Sequence, residues 1–266
     1  MWNVNIFILC LALLAPARQP RAEEIPMPPF VPPLFYVHVP NSGSVIVATM
    51  LLFECPPGAY NYSGPPATHY DPEAFLALPG NAECRDNFER FAGGYRGVPV
   101  TLHPMGVVMM MRMPLPRVVS GFFSGLHGCP SLQARARNNA TDALLLDYAT
   151  CVKGLVTAML GANHHAGRED VPIVTERVVT RAVEVVENAF FVGLTENYVC
   201  SVLLLNSALF GHDTVHDMQI EPYRVGNGSS VSAKRARVVL LAQGFVNVHD
   251  ELLYDHARRR LWQCDL

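Results

Sequence analysis

The chain has 266 residues, half of them hydrophobic and 16% charged, with a formal net charge of −3 at pH 7. That length and apolar content suit one domain, or one domain with insertions, and exclude global disorder. The slightly acidic balance excludes a chain-wide electrostatic drive toward nucleic acid, so any anionic ligand must be held by local positive charge.

The N-terminus carries an apolar segment from Ile6 to Ala15, shorter than the roughly 20 residues a bilayer-spanning helix needs. With Ala15-Pro16-Ala17 as a small-residue cleavage site, residues 1–17 read as a signal peptide, a short retained anchor being the alternative and the only expected membrane contact. Sequons begin at Asn61, Asn139 and Asn227, which suits the secretory pathway, in the Golgi lumen or secreted. Beyond Cys10 stand Cys55, Cys84, Cys129, Cys151, Cys200 and Cys264. In an oxidising lumen these allow up to three disulfides, in fifteen pairings that sequence cannot choose between. Cys200, inside YVCSVLLL, reads as the cysteine most readily left as a buried thiol.

Residues 18–34 are proline-rich and read as an extended linker. A domain then runs over 35–266. It opens with FYVHV, a strand, followed by the turn-forming PNSGS and an apolar run of helical character. A strand, tight loop and helix in that order present backbone N–H groups and the positive end of a helix to an anion, although the Walker pattern is absent. Residues 54–90 are rich in turn signals and read as an irregular insertion with one short helix near Asp71–Leu78.

The run VVMMM at 107–111 lacks alternation and suits a strand covered on both faces. Arg112 stands at the carboxyl end of that strand, where open α/β sheets bind their ligands. A helix is expected to open near Pro114 or Pro116 and to carry Ser120 about two turns along. Residues 129–141 read as an exposed polar loop and Asp142–Leu160 as a helix. His164 and His165 follow in a loop, solvent-exposed and without a neighbouring acidic or cysteine ligand, and no metal site is expected. Further elements are a helix at Glu176–Asn188, a buried strand at Phe190–Leu194 and a helix at Asn197–Phe210. Residues 222–244 read as loop-rich, and a helix spans Val246–Trp262. Repeated strand-then-helix order predicts an α/β fold with a doubly wound, mainly parallel sheet flanked by helices, in a single domain.

Several of these segments together resemble the Golgi-type carbohydrate sulfotransferases, of the heparan sulfate 2-O-sulfotransferase kind. VHVPNSGSVI is similar to the family's 5′-phosphosulfate loop, HxPKTGGTS, and VMMMRMPLPRVVSGFF to its 3′-phosphate segment, LRDPxxRxxSxY. FVGLTENYVCSVLLL and HDELLYDHARRRLW resemble FVGLTExFxxSLxLL and LDxxLYxxAxxxF, and GLVTAMLG is a fainter echo of NxQTxxLxG. The matches keep the family's order. The resemblance implies a P-loop-like fold and sulfuryl transfer from 3′-phosphoadenosine 5′-phosphosulfate (PAPS) to a hydroxyl of a carbohydrate acceptor, without metal. By position, Ser42, Gly43, Ser44, Val45 and Ile46 form the phosphosulfate loop, while Arg112 and Ser120 bind the 3′-phosphate.

The departures fall on the chemistry. Asn41 replaces the family's loop lysine, Ser44 its second glycine, and Val45-Ile46 its Thr-Ser pair. The family's histidine base corresponds in position to Tyr95 in FAGGYRGV, and His103 is the nearby alternative. Tyrosine's reference pKa near 10 makes it a poor base at neutral pH. The resemblance therefore implies either an active enzyme or a weakened or inactive relative that binds nucleotide or glycan.

Overall fold

The computed structural model describes residues 35–43, 97–99, 101, 104–124, 128–210 and 231–261. The signal segment, the proline-rich linker, the helix expected after the first loop and the insertion at 54–90 lie outside them. So do Ser44, Val45, Ile46, Tyr95 and His103.

Three short parallel strands make the sheet: β1 (Phe35–Val37), β2 (Val107–Met111) and β3 (Phe191–Leu194), in the order β1-β2-β3. Val37 pairs with Met109, and Met109 in turn with Val192. β2 is central and every residue in it is buried, as an apolar run without alternation requires. Its side chains divide by the two-residue period of a strand. Val107, Met109 and Met111 join one core cluster with Val37, Val192 and Leu194, while Val108 and Met110 join a second with Tyr36, Phe191 and Leu205. Helices cover both faces, so the molecule is mixed α/β with a small parallel sheet flanked by helices.

The larger cluster is closed by α1 (Pro114–Ser124), α2 (Pro130–Asn138), α3 (Asp142–Cys151), α4 (Leu155–Ala162), α5 (Glu176–Asn188), α7 (Val231–Ala242) and α8 (Val248–Arg260). The opposite face belongs to α6 (Tyr198–Phe210). Local chemistry sets several of these boundaries. Thr141 and Thr175 cap α3 and α5 by accepting from Leu144 N–H (3.2 Å) and Val178 N–H (3.4 Å). Arg260 ends α8 by donating to the carbonyls of Val186 and Ala189 at the end of α5, at 2.6 and 2.9 Å.

The expected helix over 142–160 is two helices. Gly154, in left-handed backbone (φ 74), separates α3 from α4 and gives its N–H to Asn247 Oδ1 at 3.0 Å. By length and composition Asp142–Ala162 could cross a membrane, but 67% of its apolar window is buried inside this fold.

Four other expectations are corrected. Residues 130–138 form α2 rather than a loop. Pro130 occupies the first turn, the Glu169 carboxylate accepts from Ser131 N–H and Oγ (both 2.9 Å), and buried Gln133 donates to Gly121 O and Tyr148 Oη (both 3.2 Å). Residues 231–242 form α7, whose Ala233, Ala236 and Leu240 are buried at helical spacing. Cys200 is disulfide-bonded and half-buried rather than a buried thiol. His164 is buried, at 6% exposure, and its Nε2 has no hydrogen-bond partner among the described residues. Burial, with Arg168 nearby, lowers its pKa and keeps the ring neutral. A second disulfide, Cys129–Cys151, ties the start of α2 to the end of α3.

Candidate functional site

The turn after β1 and the end of β2 meet. Asn41 and Gly43 both have positive φ (58° and 83°), so the chain reverses sharply directly after the strand. Asparagine and glycine are the residues that tolerate this backbone best. Ser42 is buried between them; its N–H donates to Val39 O (3.3 Å) and its hydroxyl faces Pro40 O (3.4 Å). Ser42 thus spends both donors inside the turn.

Arg112 leaves β2 and donates from Nη1 to Asn41 O at 3.0 Å. That is the hydrogen bond it makes among the described residues, leaving most of its five N–H groups for other acceptors. Burial lowers its pKa below the ordinary arginine value; the Glu196 carboxylate raises it, and Arg237 and Arg117 lower it further. A guanidinium keeps its charge through such a shift, so the site presents a partly desolvated cation.

α1 brings hydroxyls to the same turn. Ser124 Oγ donates to Asn41 Oδ1 at 3.0 Å and Ser120 Oγ lies 3.5 Å from the same oxygen. A Cβ on Gly121 would collide with Tyr148 Oη and stand 3.2 Å from Asn41 Nδ2, so this glycine lets the turn and α3 close on α1. Behind it Tyr148 is buried and its phenol is pushed up to about 12, chiefly by burial, with Arg117 and Gln133 opposing. Tyr148 therefore stays protonated at neutral pH and does not serve as a base.

On the other side stands the β3 end. Thr195 donates to Met111 O through N–H (2.8 Å) and Oγ1 (3.1 Å), and Glu196 accepts from Met113 N–H (3.0 Å) and Tyr254 Oη (3.1 Å). Beneath the site lies a buried network. Asp250 accepts from Arg117 Nη2 (2.7 Å), Asn247 Nδ2 (2.9 Å), Thr157 N–H (3.0 Å) and Thr157 Oγ1 (2.8 Å).

Of the sequence-predicted residues, Asn41, Ser42, Gly43, Arg112 and Ser120 are brought together at the ends of β1 and β2. Tyr95, His103, Ser44, Val45 and Ile46 lie outside the described residues. Sequence reading missed Ser124, Tyr148, Thr195, Glu196 and the Arg117–Asp250 pair. The signal for Ser124 was within reach, since it follows Ser120 by four residues and shares its helix face. Among the described residues no cluster of histidine, cysteine or acidic side chains could hold a metal ion. No family model matches this chain, and neither a curated protein nor a solved structure does.

Proposed function

We propose that this chain is a PAPS-dependent sulfotransferase acting on a hydroxyl of a carbohydrate acceptor. The observation that carries the reading is the Arg112–Asn41 hydrogen bond, which joins a strand-end arginine to the turn after β1. A nucleotide bearing phosphates at both ends needs anion-binding groups on two separate segments, and these two lie side by side. In this reading Arg112 supplies a planar fork to the 3′-phosphate and Ser120 a compact further donor. The turn after β1 holds the phosphosulfate, with Asn41 Nδ2 as an uncharged donor. PAPS supplies the sulfuryl group, which passes to the acceptor oxygen as the S–O bond to the 5′-phosphate breaks, the acceptor's proton going to a base at Tyr95 or His103. Parallel strands with helices on both faces, and a tight turn directly after β1, support the finer fold reading of a P-loop-like, doubly wound sheet.

A second reading, a non-catalytic relative that binds nucleotide or glycan, is favoured by one observation. Asn41 spends its side-chain oxygen on Ser120 and Ser124, so the residue at the lysine position serves as a link between the turn and α1. Two measurements separate the readings. Calorimetry with 3′-phosphoadenosine 5′-phosphate (PAP) shows binding in both if the nucleotide is the ligand. Release of PAP from PAPS across a panel of glycans occurs only if the chain is an enzyme. Absence of PAP binding removes the sulfotransferase reading, and binding without turnover leaves the second.

A further inference from the structure

We infer that Arg237 is a second guanidinium of the same anion site, gripping with Arg112 the dianionic 3′-phosphate of the nucleotide. The inference rests on the sulfotransferase reading and adds a residue that the motif resemblance does not supply.

Arg237 belongs to α7, which packs against α1, the helix that opens two residues after Arg112 and carries Ser120. Its neighbours Ala233, Ala236 and Leu240 are buried in the core shared with α1, so the backbone at 237 is held against that helix. The Nε of Arg237 is sealed from water and has no hydrogen-bond acceptor among the described residues. A buried donor left unpaired costs about 1–3 kcal/mol, a cost that a surface arginine avoids by turning its head to solvent. The charges around it are unevenly matched. Arg117 is neutralised by Asp250 at 2.7 Å, and Arg112 has the Glu196 carboxylate nearby. Arg237 lies close enough to Arg112 to repel it, and no carboxylate lies within 4 Å of it among the described residues. Two guanidinium groups set against each other with one unpaired donor call for an oxyanion. A phosphomonoester dianion offers three oxygens and two charges, enough for a fork from each arginine.

The test compares PAP with adenosine 5′-phosphate, which lacks the 3′-phosphate, by calorimetry on the full chain. The proteins are the unaltered chain, Arg237→Gln, Arg237→Lys and, as a control on the same helix, the exposed Arg235→Gln. Arg237→Gln is expected to weaken PAP binding tenfold or more and to leave adenosine 5′-phosphate unchanged. Arg237→Lys gives an intermediate, PAP-specific loss, because it keeps the charge and loses the fork, and Arg235→Gln has no effect. If Arg237→Gln does not melt cooperatively, the lysine variant decides, with a severalfold loss confined to PAP. Unchanged PAP affinity, or an equal loss on both nucleotides, overturns the role of Arg237 and leaves the sulfotransferase reading standing. Failure of the unaltered chain to bind PAP overturns both.

Discussion

Asn41 holds left-handed backbone, accepts from Ser124 and receives Arg112 on its carbonyl, so one side chain and one peptide group fasten the β1 turn to two other elements. What Asn41 lacks is charge. Substituting Asn41→Lys removes the acceptor for Ser124 and puts a residue less tolerant of positive φ into the turn, costing about 1 kcal/mol of stability. If electrostatic stabilisation of the leaving phosphate limits the rate, the same change raises PAPS turnover by on the order of 10²-fold. A variant that folds and binds PAP yet turns over no faster shows that the missing charge is not the limit. Tyr148 yields a second prediction at this scale. Its phenol ionises near pH 10 in the unfolded chain and near 12 in the fold, so the unfolded state releases its proton first. Stability is therefore unaffected below pH 10 and falls by about 3 kcal/mol as pH rises from 10 through 12. In urea titrations across that range, Tyr148→Phe should flatten the decline; an identical decline in both proteins refutes the assignment.

α6 is fastened to β3 by a single hydroxyl. Ser201 Oγ accepts from Leu194 N–H at 2.9 Å and lies within donating distance of the carbonyls of Leu194 (3.1 Å) and Asn197 (3.0 Å). The approach is possible because residue 193 is glycine, where a Cβ would meet Met110 Sδ and stand 2.9 Å from Ser201 Cβ. Ser201→Ala leaves the buried Leu194 N–H without its partner and is expected to destabilise by about 1–3 kcal/mol in urea unfolding. A shift under a few tenths of a kcal/mol would mean that the hydroxyl bond is dispensable. Elements of this kind were legible in sequence to different degrees. β2 was read at its observed bounds because a strand buried on both faces must be continuously apolar, and Arg112 stood out as the charge that ends it. α2 and α7 were read as loops because a helix laid on the surface needs few apolar residues. In α2 these are Gln133 and Ala136, and only the first-turn Pro130 hints at a start. In α7, Ala233, Ala236 and Leu240 keep helical spacing, but alanine among lysines and arginines carries little hydrophobic signal.

Across the whole molecule, the site depends on a buried charge that joins elements far apart in the chain. Asp250 lies 93 residues from Thr157 and 133 from Arg117, and it holds α8, α4 and α1 together beneath the meeting point of β1 and β2. No local pattern could announce that contact. Arg117 read as an ordinary helix residue, and Thr157 as part of an apolar helix, because their partner is supplied only by tertiary packing. Both side chains of the Arg117–Asp250 pair are at most 3% exposed, so the carboxylate's loss cannot be repaired by water. Asp250→Asn keeps the volume but turns an amide donor toward a side that already receives donors from Arg117 or Thr157. Breaking one side of a buried pair costs about 3–5 kcal/mol, and that range is expected for this variant in urea unfolding. Replacing both partners with apolar residues, Arg117→Met with Asp250→Leu, should cost less than the sum of the two single changes, because no charge is then left buried alone. α1 carries Ser120 and follows Arg112, so the single variant should also lose PAP affinity, and the double variant should recover part of it. Additive stability losses in that cycle, with no coupling beyond about 0.5 kcal/mol, would mean that the pair does not act as one unit and that the registration of α1 beneath the site has another origin.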